Sequence, residues 1–378
     1  MTMNMAIPSN LTRQMFRSMR LLDVPDMIQH MRFKALRQRY YDLFWARVAA
    51  ETGATFRKWD GGFTRLTRNG TVLVVRGPDV RLDDRLTLDL MGNKALTYQL
   101  LAEQGLDVPR HVSFPVTDMR KALALLSDAG RPLVVKPNFG TGGGRGVTTG
   151  VSNPHDLRRA AWLAARFDPD LIAEEQIEGQ SWRLLFIDGR FLDTVRRDPP
   201  RIVGDGKRSI ANLVHAENAN RLTGRPFTAL SPIRLDRECT SYLAAQQLNV
   251  RSVPDDGQMI VLKRAVNENT SAQNHTLRAS VHPATLATCT RLVQNLGVRL
   301  AGIDIIARNI AEPLIPSNGY IGEINTTPGL HHHDLIAAPP AGRSVAAELV
   351  DHMFETGAGA MTLSALAKPV PQLRMARA

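Results

Sequence analysis

The chain has 378 residues, of which 43% are hydrophobic and 22% charged, and its formal net charge is +11. This is the composition of a folded globular protein, so the collagen-like and disordered classes are excluded. No apolar run approaches the roughly 18 residues that a membrane-spanning helix needs, and the arginine-bearing start is not a secretory signal. We therefore expect a cytoplasmic protein that makes no membrane contact.

The excess positive charge is concentrated at the start of the chain. Residues 1–80 hold 13 Lys and Arg against 6 Asp and Glu, and such an excess favours an anionic partner. Nucleic acid is disfavoured as that partner, because the basic segment has little interleaving of aromatic and basic residues. Cys239 and Cys289 lie outside any CxxC spacing, so we expect two ordinary thiols rather than a disulfide or a zinc site.

The predicted elements alternate between helix and strand. Apolar residues spaced three and four apart predict an amphipathic helix over 27–50, and Asn69-Gly70 predicts a hairpin within 64–76. Further helices are expected over 94–104, 118–128 and 156–167. The chain after 171 looks rich in strands, with helices near 209–220, 237–247, 283–297 and 343–355. This pattern indicates an α/β (α+β) protein with a small N-terminal α/β domain.

A glycine-rich segment follows an apolar strand that carries Lys136. It is neither a P-loop nor a dinucleotide fingerprint, because the spacing of its glycines matches neither motif. Since strands flank it on both sides, we interpret it as a flap whose backbone N–H groups close over phosphates while Lys136 reaches in from the strand. The alternative is a flexible surface hairpin.

Asp188-Gly189 predicts a second hairpin, which carries Arg183 and Arg197 as candidate anion ligands. In a regular hairpin Arg183 shares a face with Arg196 and Arg197 lies on the other, so the two candidates cannot hold one phosphate unless a bulge intervenes.

Three oxygen-bearing side chains predict a magnesium site late in the chain. Asp304 interrupts an apolar strand, where a carboxylate is costly to bury unless it is paired or metal-bound. Glu323 and Asn325 are two residues apart, so they share one face of a strand. Such a set suits Mg²⁺ that also binds nucleotide phosphates, with Mn²⁺ as a substitute. The alternative is a buried Asp that caps a turn beside a solvated Glu.

Taken in order, Lys94, VVKPN with its glycine flap, IAEEQIEG, GIDII and EIN-TPG resemble the ATP-grasp superfamily. The likeness is strongest to the ATP-grasp domain of cyanophycin synthetase and of bifunctional glutathione synthetase, and it covers about residues 90–355. The resemblance implies two α+β subdomains that clamp ATP, over 89–168 and 169–356. They would follow an N-terminal domain over 1–88 and precede a flexible tail over 357–378.

The resemblance also implies roles for individual residues. Lys94 and Lys136 would contact the phosphates, under a flap formed by Gly140, Thr141, Gly142, Gly143, Gly144 and Gly146. The adenine would lie against Glu174, Glu175, Gln176 and Ile177. Asp304, Glu323 and Asn325 match the metal ligands, and Arg183, Arg197 and Asn267 match positions that hold the reacting carboxylate and acyl phosphate, with Lys136 assisting. Among His331, His332 and His333, only His333 matches a histidine of the subfamily. We expect a substrate-pocket role for it and a surface role for the other two.

The sequence thus predicts a ligase that uses ATP and magnesium to join a small-molecule carboxylate to an amine, such as amino acids or short peptides, through an acyl phosphate. A homodimer is compatible with this interpretation. Two alternatives remain open: ligation onto a larger peptide or protein, and a basic nucleotide-binding or nucleic-acid-binding protein without ligase activity. In the loop after Asn267, residues 269–272 depart from the subfamily pattern, which puts the acceptor side in doubt.

Overall fold

The computed structural model describes residues 24–139, 144–225, 227–338 and 342–362. Its helices are α1 (Val24–Glu51), α2 (Arg85–Gly92), α3 (Lys94–Glu103), α4 (Arg120–Asp128), α5 (Pro154–Ala165), α6 (Ile210–Leu222), α7 (Arg237–Ala245), α8 (Pro283–Asn295) and α9 (Val345–Thr356). Short 3-10 turns cover Asp60–Gly62, Ser271–Gln273, Arg278–Ser280 and Leu330–His333.

The strands alternate with these helices along the chain. They are β1 (Thr55–Lys58), β2 (Thr64–Arg68), β3 (Thr71–Arg76), β4 (Asp79–Val80), β5 (His111–Pro115), β6 (Leu133–Pro137), β7 (Thr148–Val151), β8 (Asp170–Glu175), β9 (Gln180–Ile187), β10 (Arg190–Arg197), β11 (Arg201–Val203), β12 (Met259–Val261), β13 (Asn274–Thr276), β14 (Leu300–Ala307), β15 (Gly319–Asn325) and β16 (Met361–Thr362).

Local sequence signals account for most of the helix boundaries. The side chains of Asn153, Ser209 and Asp236 each accept a hydrogen bond from a backbone N–H in the first turn of the helix that follows. Such caps satisfy N–H groups that would otherwise have no partner. The predicted helices over the middle and end of the chain are confirmed within a few residues. The short helix α2, for which Asp84 is the N-cap, was not among the predicted elements.

The strands form three larger antiparallel sheets and a two-stranded ribbon. The central sheet has the order β5-β8-β6-β7, and the C-terminal sheet has the order β13-β10-β9-β14-β15. The N-terminal sheet runs β1-β2-β3-β16, with β4 also on β3, and β11 pairs with β12 in the ribbon. The predicted α+β architecture is confirmed, with the candidate residues carried mainly by the central and C-terminal sheets.

The N-terminal elements share their hydrophobic core with the end of the chain. Tyr41 and Trp45 of α1 are buried in one cluster with Leu349 of α9 and Leu185 of β9. Met361 also pairs with Val72 across β16 and β3. Residues 361–362 of the predicted tail therefore form a strand, because they complete a sheet edge that needs partners. The rest of that predicted tail, residues 363–378, lies outside the described part of the chain.

The subdomain limits suggested by the resemblance fall inside structural units. The boundary between residues 88 and 89 lies within α2. The strand β8 pairs with both β5 and β6, so the central sheet continues to Glu175 rather than ending at 168. The sequence alone does not show that β8 belongs to the central sheet, because the helix α5 separates β8 from β7 along the chain.

Cys239 and Cys289 are buried in different cores, and burial raises the pKa of each thiol to about 12.

Within the described ranges, no helix combines the length and the apolar character that crossing a membrane requires.

Candidate functional site

A β-bulge decides which arginines of the hairpin β9-β10 face the site. Its turn is formed by Asp188 and Gly189, both with positive φ. Arg190 pairs with Ile187 as expected, but the register shifts by one residue between Phe191 and Asp193. The hairpin is therefore not regular, and the bulge that the sequence left open is present. Beyond a bulge every side chain changes face, so Arg183 lies opposite Val195, and Arg197, two residues further on, shares its face.

The paired strands place charged residues in one row across the C-terminal sheet. Arg183 pairs in register with Asp304 of β14, and Asp304 pairs with Glu323 of β15. The Nε and Nη2 atoms of Arg183 each donate to Asp304 over 2.6 Å. Burial by itself would lower the pKa of Arg183, but the charge of Asp304 outweighs it and the pKa is raised. The Arg183 guanidinium therefore stays charged inside the site.

The predicted magnesium ligands are adjacent in the structure. Asp304 and Glu323 are a cross-strand pair, and Asn325 Nδ2 lies 3.3 Å from Asp304 Oδ2. Two carboxylates and an amide oxygen suit Mg²⁺, which takes one or two protein carboxylates and completes its shell with water and phosphate. No group of three His, Cys, Asp or Glu in the described part of the chain could hold a metal by itself. The donor set thus fits a magnesium ion that arrives with a phosphate ligand.

Two lysines extend the row toward the central sheet. Lys94 Nζ lies 3.3 Å from Glu323 Oε1, and Lys136 Nζ donates to Glu174 Oε1 over 2.7 Å. Burial would raise the pKa of Glu323, but the charges of Lys94, Lys136 and Arg183 outweigh it and hold the pKa below its ordinary value. Because these cations surround it, the carboxylate stays ionised, as a metal ligand must be.

Polar residues that the sequence analysis did not single out position these lysines. The first turn of α3, which begins at Lys94, is tied to the end of β6: Lys94 N donates to Asn138 O, and Ala95 N donates to Asn138 Oδ1. Tyr98, also on α3, donates to Glu174 Oε2 over 2.8 Å. In the sequence, the one signal of this arrangement was Asn138, a polar residue that immediately follows the VVKP strand.

The predicted adenine-contacting residues do not share one face. Glu174 points toward Lys136 and Tyr98, whereas Glu175 lies near Arg110 Nη1 at 3.3 Å on the other side of β8. Successive residues of a strand face opposite sides, so Glu175 is not beside the candidate phosphate ligands. Gln176 is buried; its N–H donates to the carbonyl of Pro132, and its Oε1 accepts from Gly150 N over 2.7 Å. Ile177 is half-buried at the end of this segment.

The end of the glycine flap lies against Asn267. Gly144 has a φ of +64°, and a Cβ there would overlap with Asn267 Nδ2, so only glycine fits this close approach. Gly146 has a φ of +80° and faces Phe167 and Pro137 in the same way. The flap residues Gly140, Thr141, Gly142 and Gly143 lie outside the described residues.

Arg197 is a buried cation with one guanidinium N–H that meets no acceptor among the described residues. It is 3% exposed, and its Nη2 donates to Asn267 Oδ1 over 3.0 Å. Its Nε is buried and has no hydrogen-bond partner among the described residues. Burial and the charge of Arg183 lower the pKa of Arg197. A buried donor of this kind is costly unless it meets an acceptor, so the geometry fits a bound anion beside Arg197.

The consecutive histidines do not converge on one ion. His333 Nδ1 lies 2.7 Å from Asp193 Oδ2, and His331 Nδ1 lies 2.7 Å from the hydroxyl of Tyr41 on α1. The predicted surface role is wrong for His331, which is 5% exposed, while His332 is half-buried. Burial and nearby arginines lower the pKa of His331 well below its ordinary value. An uncharged His331 thus joins the N-terminal helix to the 3-10 turn Leu330–His333 that follows the C-terminal sheet.

The known proteins that are similar in sequence to this chain are of the two kinds that the resemblance named. The cyanophycin synthetase of Trichormus variabilis is 30% identical over 275 residues, which are 71% of this chain and 30% of that protein. The glutathione biosynthesis bifunctional protein GshAB of Clostridium perfringens is 27% identical over 66% of this chain and 32% of its own length. The chain thus spans about a third of the length of the curated relatives it matches. No protein-family model matches it.

A solved structure shows the same architecture. The bifunctional glutathione synthetase from Pasteurella multocida superposes with a TM-score of 0.52 at 24% identity, over 80% of this chain and 42% of that one. The chain therefore has the ATP-grasp fold, and the predicted resemblance to cyanophycin synthetase and bifunctional glutathione synthetase is confirmed.

Proposed function

We propose that this protein is a carboxylate–amine ligase that uses ATP and magnesium, forms an acyl phosphate and releases ADP and phosphate as it makes an amide bond. The observation that carries this proposal is the row Arg183, Asp304 and Glu323, beside which Lys94 pairs with Glu323 and Lys136 pairs with Glu174. The row combines candidate metal ligands with cations suited to the phosphates and the carboxylate of one reaction.

The nucleotide would lie between the central and C-terminal sheets. Lys94 and Lys136 would bind its phosphates, and the flap would supply backbone N–H groups above them. Glu174, already held by Lys136 and Tyr98, would face the adenine, and the backbone near Ile177 would form the hinge. The N–H of Gln176 is bonded to Pro132, so this N–H would hold the hinge rather than the base.

Asp304, Glu323 and Asn325 would hold magnesium, which when bound would offset the negative charge of the phosphates. Arg183 and Arg197 would bind the substrate carboxylate and the transferring phosphoryl group from the sheet side. Since both guanidiniums are buried and held in place, they would stabilise developing charge without rearranging.

The chemistry would proceed in two displacements. An oxygen of the substrate carboxylate would attack the γ-phosphorus, and ADP would leave with the electrons of the broken P–O bond. The amine nitrogen would then attack the acyl carbon, and phosphate would leave as the nitrogen loses its proton. No side chain need form a covalent bond. Closure of the flap near Gly144 would keep water from the acyl phosphate.

A screen of paired amino acids tests the proposal. We expect ATP and Mg²⁺ to yield ADP and phosphate only when a particular carboxylate and amine are both present, which a coupled assay for ADP measures. Short peptides belong in the same screen, because the acceptor side of the site is the part that the sequence leaves open. Formation of AMP and pyrophosphate instead would contradict the acyl-phosphate route.

Lys136→Gln should weaken ATP binding by about 10-fold or more, because it removes a cation at the phosphates and the partner of a buried carboxylate. Titration calorimetry with ATP and Mg²⁺ measures the change. The matched control is Lys121→Gln, at an exposed position on α4, which should bind ATP as the unmodified protein does. Equal affinity in both variants would exclude Lys136 from the nucleotide site.

A further inference from the structure

A small polar cavity lies beside Asn267, next to the candidate active site. Its walls include Gly144 and Val147 at the end of the flap, and Glu238, Lys263 and Glu268 from the segment that contains α7 and β12. Its volume is about 10 Å³, which is room for roughly one water molecule. The same Asn267 that lines this cavity accepts a hydrogen bond from Arg197.

Most of the charged groups around the cavity are already paired. Lys263 is 3% exposed, and its Nζ lies 2.8 Å from Asp236 Oδ2 and 2.7 Å from Glu268 Oε2. Arg234 Nε donates to Glu268 Oε1 over 2.7 Å. Three carboxylates line the cavity with two cations, so one negative charge is in excess.

The excess charge belongs to Glu238, which is 5% exposed. Its Oε1 accepts hydrogen bonds from Ala265 N over 3.1 Å and from Thr149 Oγ1 over 3.2 Å. Its Oε2 is buried and has no hydrogen-bond partner among the described residues. Burial raises the pKa of this carboxyl. A buried carboxylate oxygen without a donor is costly, so this arrangement calls for a small ligand that donates.

We propose that Glu238 Oε2 binds the primary ammonium group of the acceptor amine. This inference rests on the proposed ligase function and names the side of the site from which the acceptor approaches. An ammonium group is about the size of a water molecule, donates hydrogen bonds and carries the charge that balances Glu238. A divalent metal ion would find only one free carboxylate oxygen here, because those of Glu268 and Asp236 face Lys263 and Arg234.

The position of the cavity also suits an acceptor. Asn267 lines the cavity and accepts a hydrogen bond from Arg197, so the cavity is adjacent to the row that would hold the acyl phosphate. An amine held at Glu238 therefore approaches the acyl phosphate from the side of Asn267. Gly144, at the end of the glycine-rich segment, forms part of the same wall.

Glu238→Gln tests the assignment, because it changes little else. The amide oxygen can keep the bonds from Ala265 and Thr149, and the amide NH₂ replaces only the oxygen that has no partner. We expect the KM for the amino-acid acceptor found in the screen to rise about 10- to 100-fold, with the KM for ATP unchanged. Asp205→Asn, which changes a half-exposed carboxylate paired with Arg208, is the control and should leave both constants unchanged.

Hydroxylamine separates this inference from the ligase proposal. It is largely uncharged at neutral pH and traps acyl phosphates directly, so it needs no ammonium site. Glu238→Gln should form hydroxamate from ATP and the carboxylate at the unmodified rate while it loses affinity for the amino-acid acceptor. An unchanged acceptor KM, or an equal loss of hydroxamate formation, would overturn the role of Glu238. Absence of hydroxamate with the unmodified protein would overturn the ligase proposal, and this inference with it.

Discussion

Glu323→Gln should reduce amide formation by about 1,000-fold or more, the largest loss expected from one substitution in this protein. The change removes a charged oxygen opposite Asp304 and leaves Lys94 without its carboxylate partner. Losing several kcal/mol of charge stabilisation at a metal-assisted phosphoryl transfer corresponds to a loss of that size. Gln has nearly the shape of Glu, so the strand β15 should be preserved.

Two measurements test this prediction. ADP release is measured in the presence of the substrate pair, and Mn²⁺ binding is measured by electron paramagnetic resonance in the presence of ADP. Both signals should fall for Glu323→Gln. Glu312→Gln is the matched control, since Glu312 is exposed and its side chain accepts only from Asn309 Nδ2 among the described contacts. Should Glu323→Gln retain full turnover and Mn²⁺ binding, the carboxylate would not be a metal ligand.

Arg197→Ala should lower the turnover number by about 100- to 1,000-fold, because a buried, pre-positioned cation is lost where charge develops. The effect should appear both in amide formation and in hydroxamate formation with hydroxylamine, since both require the acyl phosphate. Thermal unfolding monitored by circular dichroism would report any loss of stability separately. Turnover within a factor of two of the unmodified protein would exclude Arg197 from the chemistry.

The neighbouring arginine provides the control for this prediction. Arg196 points to the opposite face of β10 and pairs with Asp198 over 2.9 Å. Arg196→Ala should therefore leave turnover close to that of the unmodified protein. In a regular hairpin Arg196, not Arg197, would share the face of Arg183, so the pair of substitutions also tests the bulge between Phe191 and Asp193. A larger effect at Arg196 than at Arg197 would contradict the observed register.

Much of the candidate site could be predicted because it depends on short spacings. Glu323 and Asn325 share a face since alternate residues of a strand always do. Asp304 was conspicuous because it interrupts an apolar strand. The helices were predictable from apolar periodicity and from caps such as Asn153 and Asp236. These signals lie within a few residues of one another, so no knowledge of distant contacts is needed to interpret them.

The remaining features depend on contacts between residues far apart in the chain. A bulge changes the register by one residue and leaves the alternation of apolar residues almost unaltered, so the shared face of Arg183 and Arg197 could not be derived from the hairpin sequence. The bond between Tyr41 and His331 joins residues 290 positions apart. The cavity at Glu238 likewise requires the flap end to meet the segment around Lys263.

The sequence by itself indicated the α+β elements through alternation and capping, and the order of its motifs indicated the ATP-grasp fold through a resemblance. It also supplied the candidate acidic and amide residues, the two lysines and the glycine-rich segment, because these signals are local properties. Tertiary structure alone decided which arginine faces the site, how the N-terminal helix supports the histidines and which carboxylate oxygen has no partner. Those outcomes depend on strand register and on long-range packing, in which a shift of one residue reverses the direction of a side chain.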